Sequence, residues 1–508
     1  MPESAGSKAV SKLGEGVFMY EAALALSVVS LLLVVGFFMR SPSFSLFHPL
    51  TFYSAFHGFI FVFRPIIARI SDFDLIYRGF HFTPSPSDKL TVILASNLGF
   101  LTFAFFCLLS GNVAMRFKQD GFAKAERDRL KPLLFWVLAI CVPIGLYSLA
   151  KAWNGASTNG HGYDAMLMDA GTGTFVNTEG NGYLAEAQLM LASCGALVAW
   201  IFRFRLLALL PLLGFTVFRA GTGGRGPFVT ALVTVGLLYL YEHRRRMPSL
   251  QIGALLVGVV LAFNTVGNDR GLTIRKAIGN DSASEVFYQT RVNERYLEGM
   301  DFANLEYFEY LVYTIPQRTH TYGYFLDSLQ VFTEPVPRVL WKNKPVGAPF
   351  NRIYLLDFGQ AIGMTRSLPG EGWYSFGWLG VVIWCGLWGY VLGLVYRRFV
   401  NGPQTTFKTA AYMIFVPILI VAFRDGQLIT IFRQGFFYLA PVAFWFYLAH
   451  FLGVPSAVVM RAAAARRRAG SDSDAAPQPA MQDRASTALP PAVQRRRALL
   501  RADAPHQV

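Results

Sequence analysis

Two arginines and four glycines fall within eight residues of this chain, Arg219 to Gly226, in the stretch "FRAGTGGRGPF" (Phe218–Phe228). A bend rich in glycine lets backbone N–H groups converge on one point, and Arg219 and Arg225 add permanent charge that can fork onto phosphate oxygens. The combination favours an anion. Gly221, Gly223 and Gly226 also match the letter of the dinucleotide fingerprint, which requires a short strand before the turn and a soluble helix after it. Here the flanks "LLALLPLLGFTVF" and "PFVTALVTVGLLYLY" are apolar runs bounded by basic residues, so they read as membrane helices and the dinucleotide reading falls away. The plainer alternative is a tight hairpin between spans whose arginines reach lipid headgroups.

Two further stretches carry chemistry. In "FTEPVPRVLWKNKPVG" (Phe332–Gly347), prolines hold an extended backbone that presents Arg338, Lys342 and Lys344 beside Trp341. Three cations in seven residues suit a polyanion and an indole face suits a sugar or lipid, while a solvated basic loop is the simpler account. In "RSLPGEGWYSFGWLG" (Arg366–Gly380), Glu371 stands between glycines, followed by Trp373 and Tyr374. Such an acid serves as a general base if burial raises its pKa, or pairs with an arginine of another loop. His320 is a second candidate base, and Asp72 and Asp74 in "SDFD" place two acids in the connection between the second and third apolar stretches.

The elements that must position these residues are membrane helices. The 508 residues are 53% hydrophobic, 15% aromatic and only 15% charged, where a soluble protein is nearer a quarter charged. About eleven stretches approach the roughly 20 apolar residues needed to span a bilayer, centred near Ala25, Gly58, Gly99, Ala139, Leu191, Leu212, Thr234, Gly258, Gly386, Phe415 and Phe444. The expected fold is an all-α polytopic membrane domain, 1–460, preceded by no cleavable signal peptide. Lys and Arg concentrate in 115–131, 203–205, 243–246 and 396–400, which alternate as cytoplasmic loops under the positive-inside rule. The C-terminus is then cytoplasmic, the N-terminus outside, and the glycine loop and a long segment, 268–376, face outward. Helical periodicity with many Tyr and Phe in "ASEVFYQTRVNERYLEGM" and "NLEYFEYLVYTI" suggests interfacial helices within that segment.

The net charge of +15 draws a third of its excess from 461–508, with nine Arg against four Asp. That segment reads as a disordered basic cytoplasmic tail near anionic lipid rather than a nucleic-acid binder. Cys107, Cys141, Cys194 and Cys385 all lie in apolar runs without paired spacing, suggesting neither disulfide nor metal site.

Taken in order, "RAGTGGRGPF" opening a span, "PVPRVLWKNKP" in the large outer loop and "GEGWYSFGWLG" leading back into the membrane resemble the O-antigen polymerase (Wzy-type) family of oligosaccharide repeat-unit polymerases. The resemblance covers roughly Gly58 to Leu452. It implies a membrane glycosyltransferase of GT-C-like architecture in the bacterial inner membrane, with its active site facing the periplasm. Its substrates would be polyprenyl-pyrophosphate-linked glycans, and its product O-antigen, capsule or exopolysaccharide. No cofactor or metal is implied, and a chain-length regulator is a partner the family leaves open. On this reading Arg219, Arg225 and Arg338 stabilise the pyrophosphate leaving group, supported by Lys342 and Lys344. Glu371 accepts the acceptor hydroxyl proton, and Trp341, Trp373 and Tyr374 contact glycan. The alternatives are an O-antigen ligase-like enzyme, a polyprenyl-phosphate-sugar transferase using Asp72 and a divalent metal, and a non-enzymatic flippase or exporter, for which Arg64 and Arg424 are the residues of interest.

Overall fold

The computed structural model describes residues 3–117, 121–159, 166–168, 175–177, 186–221, 226–251, 253, 297–299, 302–336, 340–345, 347–359 and 365–474. Within these, the chain is helical apart from one antiparallel pair of three-residue strands, β1 (Met166–Met168) and β2 (Phe175–Asn177). The helices are α1 (Glu3–Arg40), α2 (Pro49–His57), α3 (Arg64–Ile70), α4 (Leu75–Phe80), α5 (Pro86–Gly111), α6 (Gly121–Asn159), α7 (Leu189–Ile201), α8 (Leu206–Gly221) and α9 (Gly226–Glu242). They continue with α10 (Asn304–Thr314), α11 (Gln330–Thr333), α12 (Leu368–Asn401), α13 (Thr406–Asp425), α14 (Leu428–Phe451) and α15 (Ala457–Asp474). A π-helical turn, Gly58–Phe63, joins α2 to α3.

Among the described residues, seven helical segments are long and apolar enough to cross a membrane: Phe18–Arg40, Pro49–Ile70, Pro86–Gly111, Gly121–Lys151, Leu368–Asn401, Thr406–Asp425 and Leu428–Phe451. This is a helical membrane protein. These are seven of the expected eleven. Three of the expected spans are the shorter helices α7, α8 and α9, of 13, 16 and 17 residues. At 1.5 Å per residue they reach only about 20–26 Å, short of a hydrocarbon core of about 30 Å. Helix α7 is buried on almost every face, and Arg203 and Phe204 end it in left-handed backbone. The expected span at Gly258 lies outside the described residues.

Helices α5 and α12 run side by side as the central pair. Gly99 faces Val381 and Cys385, while Gly111 and Gly393 bring their backbones together. With no hydrophobic driving force between them, helices in lipid associate through van der Waals packing where small residues let backbones approach. One end of the bundle gathers all four basic loops. Arg246 donates to Met115 O and accepts from Leu46 N, Gln404 donates to Arg116 O, and Arg127 pairs with Glu242 at 2.8 Å. Trp200 joins the same Glu242. Buried Glu126 takes the amide of Thr406 at the start of α13 and that of Ala457 at the start of α15. Helix α8 leaves this end and α9 returns to it, and the glycine turn between them, 222–225, lies outside the described residues.

The second compact unit is 459–508. It begins inside α15, and the helix continues to Asp474, as a run rich in Ala and Arg favours. Residues 475–508 lie outside the described residues.

Candidate functional site

Helix α12 starts at Leu368, within the last residues of the expected outer loop. Its first eight residues, Leu368–Ser375, form a short helix, every residue of which is buried. Ser367, at φ 64°, caps it by accepting from Gly370 N at 3.4 Å. The cap is held from outside, since Ser367 N donates to Arg424 O at 2.9 Å. Helical backbone then breaks at Phe376 and Gly377, the latter at φ 58° and ψ −136°, a conformation that glycine adopts without a Cβ penalty. Past the break the chain turns back, so that Gly372 and Gly380 touch backbone to backbone. The long remainder of α12 then crosses the bundle, and Trp384 ties it to the α13–α14 turn by donating to Gly426 O at 3.0 Å.

This re-entrant helix carries Glu371, and the arginine just before it meets that acid. Arg366 Nη1 lies 2.9 Å from Glu371 Oε2, and Nη2 lies 2.7 Å from Asp327 Oδ2, with all three side chains at least nine-tenths buried. The guanidinium also stacks 3.6 Å from the Tyr374 ring centroid. Burial opposes the charge on Arg366, but the two carboxylates outweigh it and hold the pKa above the ordinary guanidinium range. Burial likewise pushes the neighbouring Tyr307 phenol up to about 12. Asp327 belongs to the long loop, which is strapped onto the re-entrant helix by Gly323 N donating to Tyr374 O at 2.9 Å and Tyr324 N to Ser375 O at 3.1 Å. Phe325 stacks on Trp384 at 5.0 Å.

A second buried network lies on the other side of α10. Arg64 grips Glu306 through Nε and Nη2, the latter at 2.7 Å, and also donates to the carbonyls of Leu297 and Glu298. Glu298 Oε1 accepts from the amides of Asp74 and Leu75, both at 2.8 Å. Tyr77 donates to Glu309 at 2.6 Å. Burial raises the Glu309 carboxyl from its usual 4.5 to about 7, against the opposing pull of Lys89 and the Tyr77 hydrogen bond. Asn304, at the start of α10, reaches the first network by donating to Thr365 O and Arg424 O. Helix α10 is thus a polar strut through the protein interior. Its expectation as an interfacial helix is corrected: all but one of its residues are buried, because its carboxylates and amide find partners inside.

The candidate residues separate into distinct places. Arg219 is half-buried at the end of α8, within electrostatic reach of Tyr438 on α14. Arg225 and Arg338 lie outside the described residues. Lys342 is exposed, whereas Lys344 is turned inward to the carbonyls of Glu334 and Val336 at 2.8 and 3.2 Å. Trp341 keeps an exposed face. Trp373 and Tyr374, expected against glycan, are instead buried; Trp373 donates to Ile315 O and Tyr374 faces Asp327 and Arg366. They are in the interior because the helix bearing them folds back into the bundle.

Glu371 pairs with Arg366 of its own stretch rather than with an arginine of another loop, and its carboxylate is closed to solvent. His320 is exposed. Asp74 pairs with Arg78 at 2.9 Å on the surface. Arg64 does not reach for headgroups: it is a buried partner of Glu306.

Comparison with family models, with curated proteins and with solved structures gives no match.

Asp327, Glu306 and Glu309 were not singled out from the sequence. The two glutamates had a legible signal, carboxylates one turn apart in an otherwise aromatic helix. Asp327 had none, since its partner is 39 residues away.

Proposed function

We propose that this protein polymerises polyprenyl-pyrophosphate-linked oligosaccharide units at the outer face of a bacterial inner membrane. The growing glycan moves from its lipid carrier to the next unit. An acceptor hydroxyl oxygen bonds to the anomeric carbon of the donor's reducing-end sugar, and the bond from that carbon to pyrophosphate breaks. Charge grows on the leaving pyrophosphate, where fixed guanidinium groups stabilise it. Arg219, Arg225 and Arg338 are assigned that role, with Lys342 in support. Lys344 supports it indirectly, by closing the turn that carries Lys342.

The observation that carries this reading is the re-entrant helix, which holds the buried Arg366–Glu371–Asp327 cluster at the end of α12 away from the basic loops. Pyrophosphate arriving at this end competes with Glu371 for the Arg366 guanidinium. Once Arg366 turns to the phosphate, Glu371 becomes the unneutralised carboxylate that accepts the hydroxyl proton. The test supplies purified protein with lipid-linked repeat units and chelator and resolves the products on a gel. A ladder of added units supports the polymerase; a single transfer to a different acceptor supports a ligase.

Transport of the same lipid-linked glycans is favoured by one specific observation. A broken helix beside charges buried in the bundle, including Arg64 with Glu306, is how transporters build a midplane site. Labelled substrate crossing a liposome bilayer without a ladder decides for that reading.

A further inference from the structure

Outside the spans, the loop between α10 and α12 exposes large apolar side chains. Phe332 is 76% exposed and Leu340 80%, and Trp341 keeps more than a third of its surface open. They lie close together, because Lys344 binds the carbonyls of Glu334 and Val336 and so draws 340–345 against 330–336. Soluble surfaces seldom leave such residues grouped together. Their position says what covers them. Helix α11, which carries Phe332, packs on α14, whose first turns expose Phe432 (56%) and Phe436 (66%). On the other flank, Tyr324 packs edge-on against Phe376 at 5.1 Å, where the exposed Trp378 and Leu379 of α12 begin. The apolar loop therefore continues the exposed apolar faces of two spans. Its cations sit beside the same aromatics: exposed Lys342 follows Trp341, and the Arg352 guanidinium lies 5.2 Å over the Tyr324 ring.

We propose that this turn is seated in the headgroup layer of the bilayer. Phe332, Leu340 and Trp341 reach the acyl boundary, and Lys342 and Arg352 meet the phosphates of anionic lipids. Amphipathic aromatics and basic side chains favour that depth, the first for its mixed polarity and the second for its negative potential. The seat depends on the protein being membrane-embedded and does not rest on the glycosyl-transfer reading, with which it shares Lys342 as a phosphate-binding cation at the same depth. It would hold the loop strapped to the re-entrant helix at the depth of lipid phosphate.

The test uses the full chain in nanodiscs of phosphatidylcholine alone or mixed with phosphatidylglycerol. The native cysteines are buried, so a nitroxide is attached to Phe332→Cys or Leu340→Cys, with Leu387→Cys on the exposed face of α12 as the lipid reference. Collisions with oxygen relative to an aqueous nickel chelate should be several-fold higher at 332 and 340 than for a free nitroxide in water, and below Leu387→Cys. Ratios equal to the free nitroxide at both positions overturn the seat. The double variant Lys342→Glu with Arg352→Glu should at least halve the phosphatidylglycerol retained by protein purified from the mixed discs. Undiminished retention overturns the assignment of these two cations to anionic headgroups.

Discussion

Replacing Arg366 by Met tests whether the buried cluster holds the re-entrant helix in place. The guanidinium faces two carboxylates at 2.7 and 2.9 Å, with side-chain exposures of 7% and less. At an effective dielectric near 20, each contact is worth roughly 6 kcal/mol before desolvation is subtracted. Methionine fills much of the volume but leaves Asp327 and Glu371 buried without a cation, and breaking such a pair from one side costs roughly 3–5 kcal/mol. Removing all three charges, as Arg366→Met with Asp327→Leu and Glu371→Leu, should recover most of that loss, because the desolvation penalty disappears together with the attraction. Arg366→Lys should fall between, since a point charge does not serve two carboxylates as a planar fork does. Equilibrium unfolding of the purified protein in mixed micelles measures all three. If Arg366→Met unfolds within about 0.5 kcal/mol of the parent, as an ordinary surface substitution does, the cluster does not hold this end of the bundle together.

Glu309 gives a pH dependence. The folded protein keeps its proton up to about pH 7 while the unfolded chain releases it near 4.5; stability therefore falls as pH rises through that window and levels off above it, by roughly 3 kcal/mol in all. Glu309→Gln should flatten this slope in unfolding measured from pH 4 to 8, and an unchanged slope would assign it to other groups. Gly389→Ala would place a Cβ 2.5 Å from Phe103 O, so it should cost roughly 1–3 kcal/mol by forcing α5 and α12 apart, read from the same unfolding transition. Arg219→Lys and Arg225→Lys should each severely reduce polymer length in the ladder assay, because lysine lacks the fork; normal polymer from both removes them from the proposed site. Truncation after Val459 should leave the ladder intact, and its loss would show that α15 takes part in activity.

The membrane character of this protein was legible in its composition, because a hydrocarbon core imposes a length and an apolarity that no other environment demands. The basic loops were legible for a similar reason. Charge that must stay out of lipid gathers in short connections, and the structure joins all four at one end. The RSLPGEG stretch also showed that an acid stood next to a glycine-framed turn. Its partner was expected from another loop, whereas the fold brings Arg366 of the same stretch onto Glu371 and then adds Asp327 from a distant loop.

What only the tertiary structure decided is which polar residues lie inside. Periodicity made α10 an interfacial helix, since an aromatic helix with carboxylates has the same pattern at a surface as in an interior with partners. Arg64, Asn304, Glu306 and Glu309 are buried because cations, phenols and carbonyls from segments over 40 residues away meet them. Likewise, Trp373 and Tyr374 face inward because left-handed backbone at Gly377 reverses the chain, a geometry that glycine permits but does not dictate. Sequence fixes local preference and the cost of exposing each side chain to lipid; the long-range pairing that repays burial of charge exists only once the helices have packed.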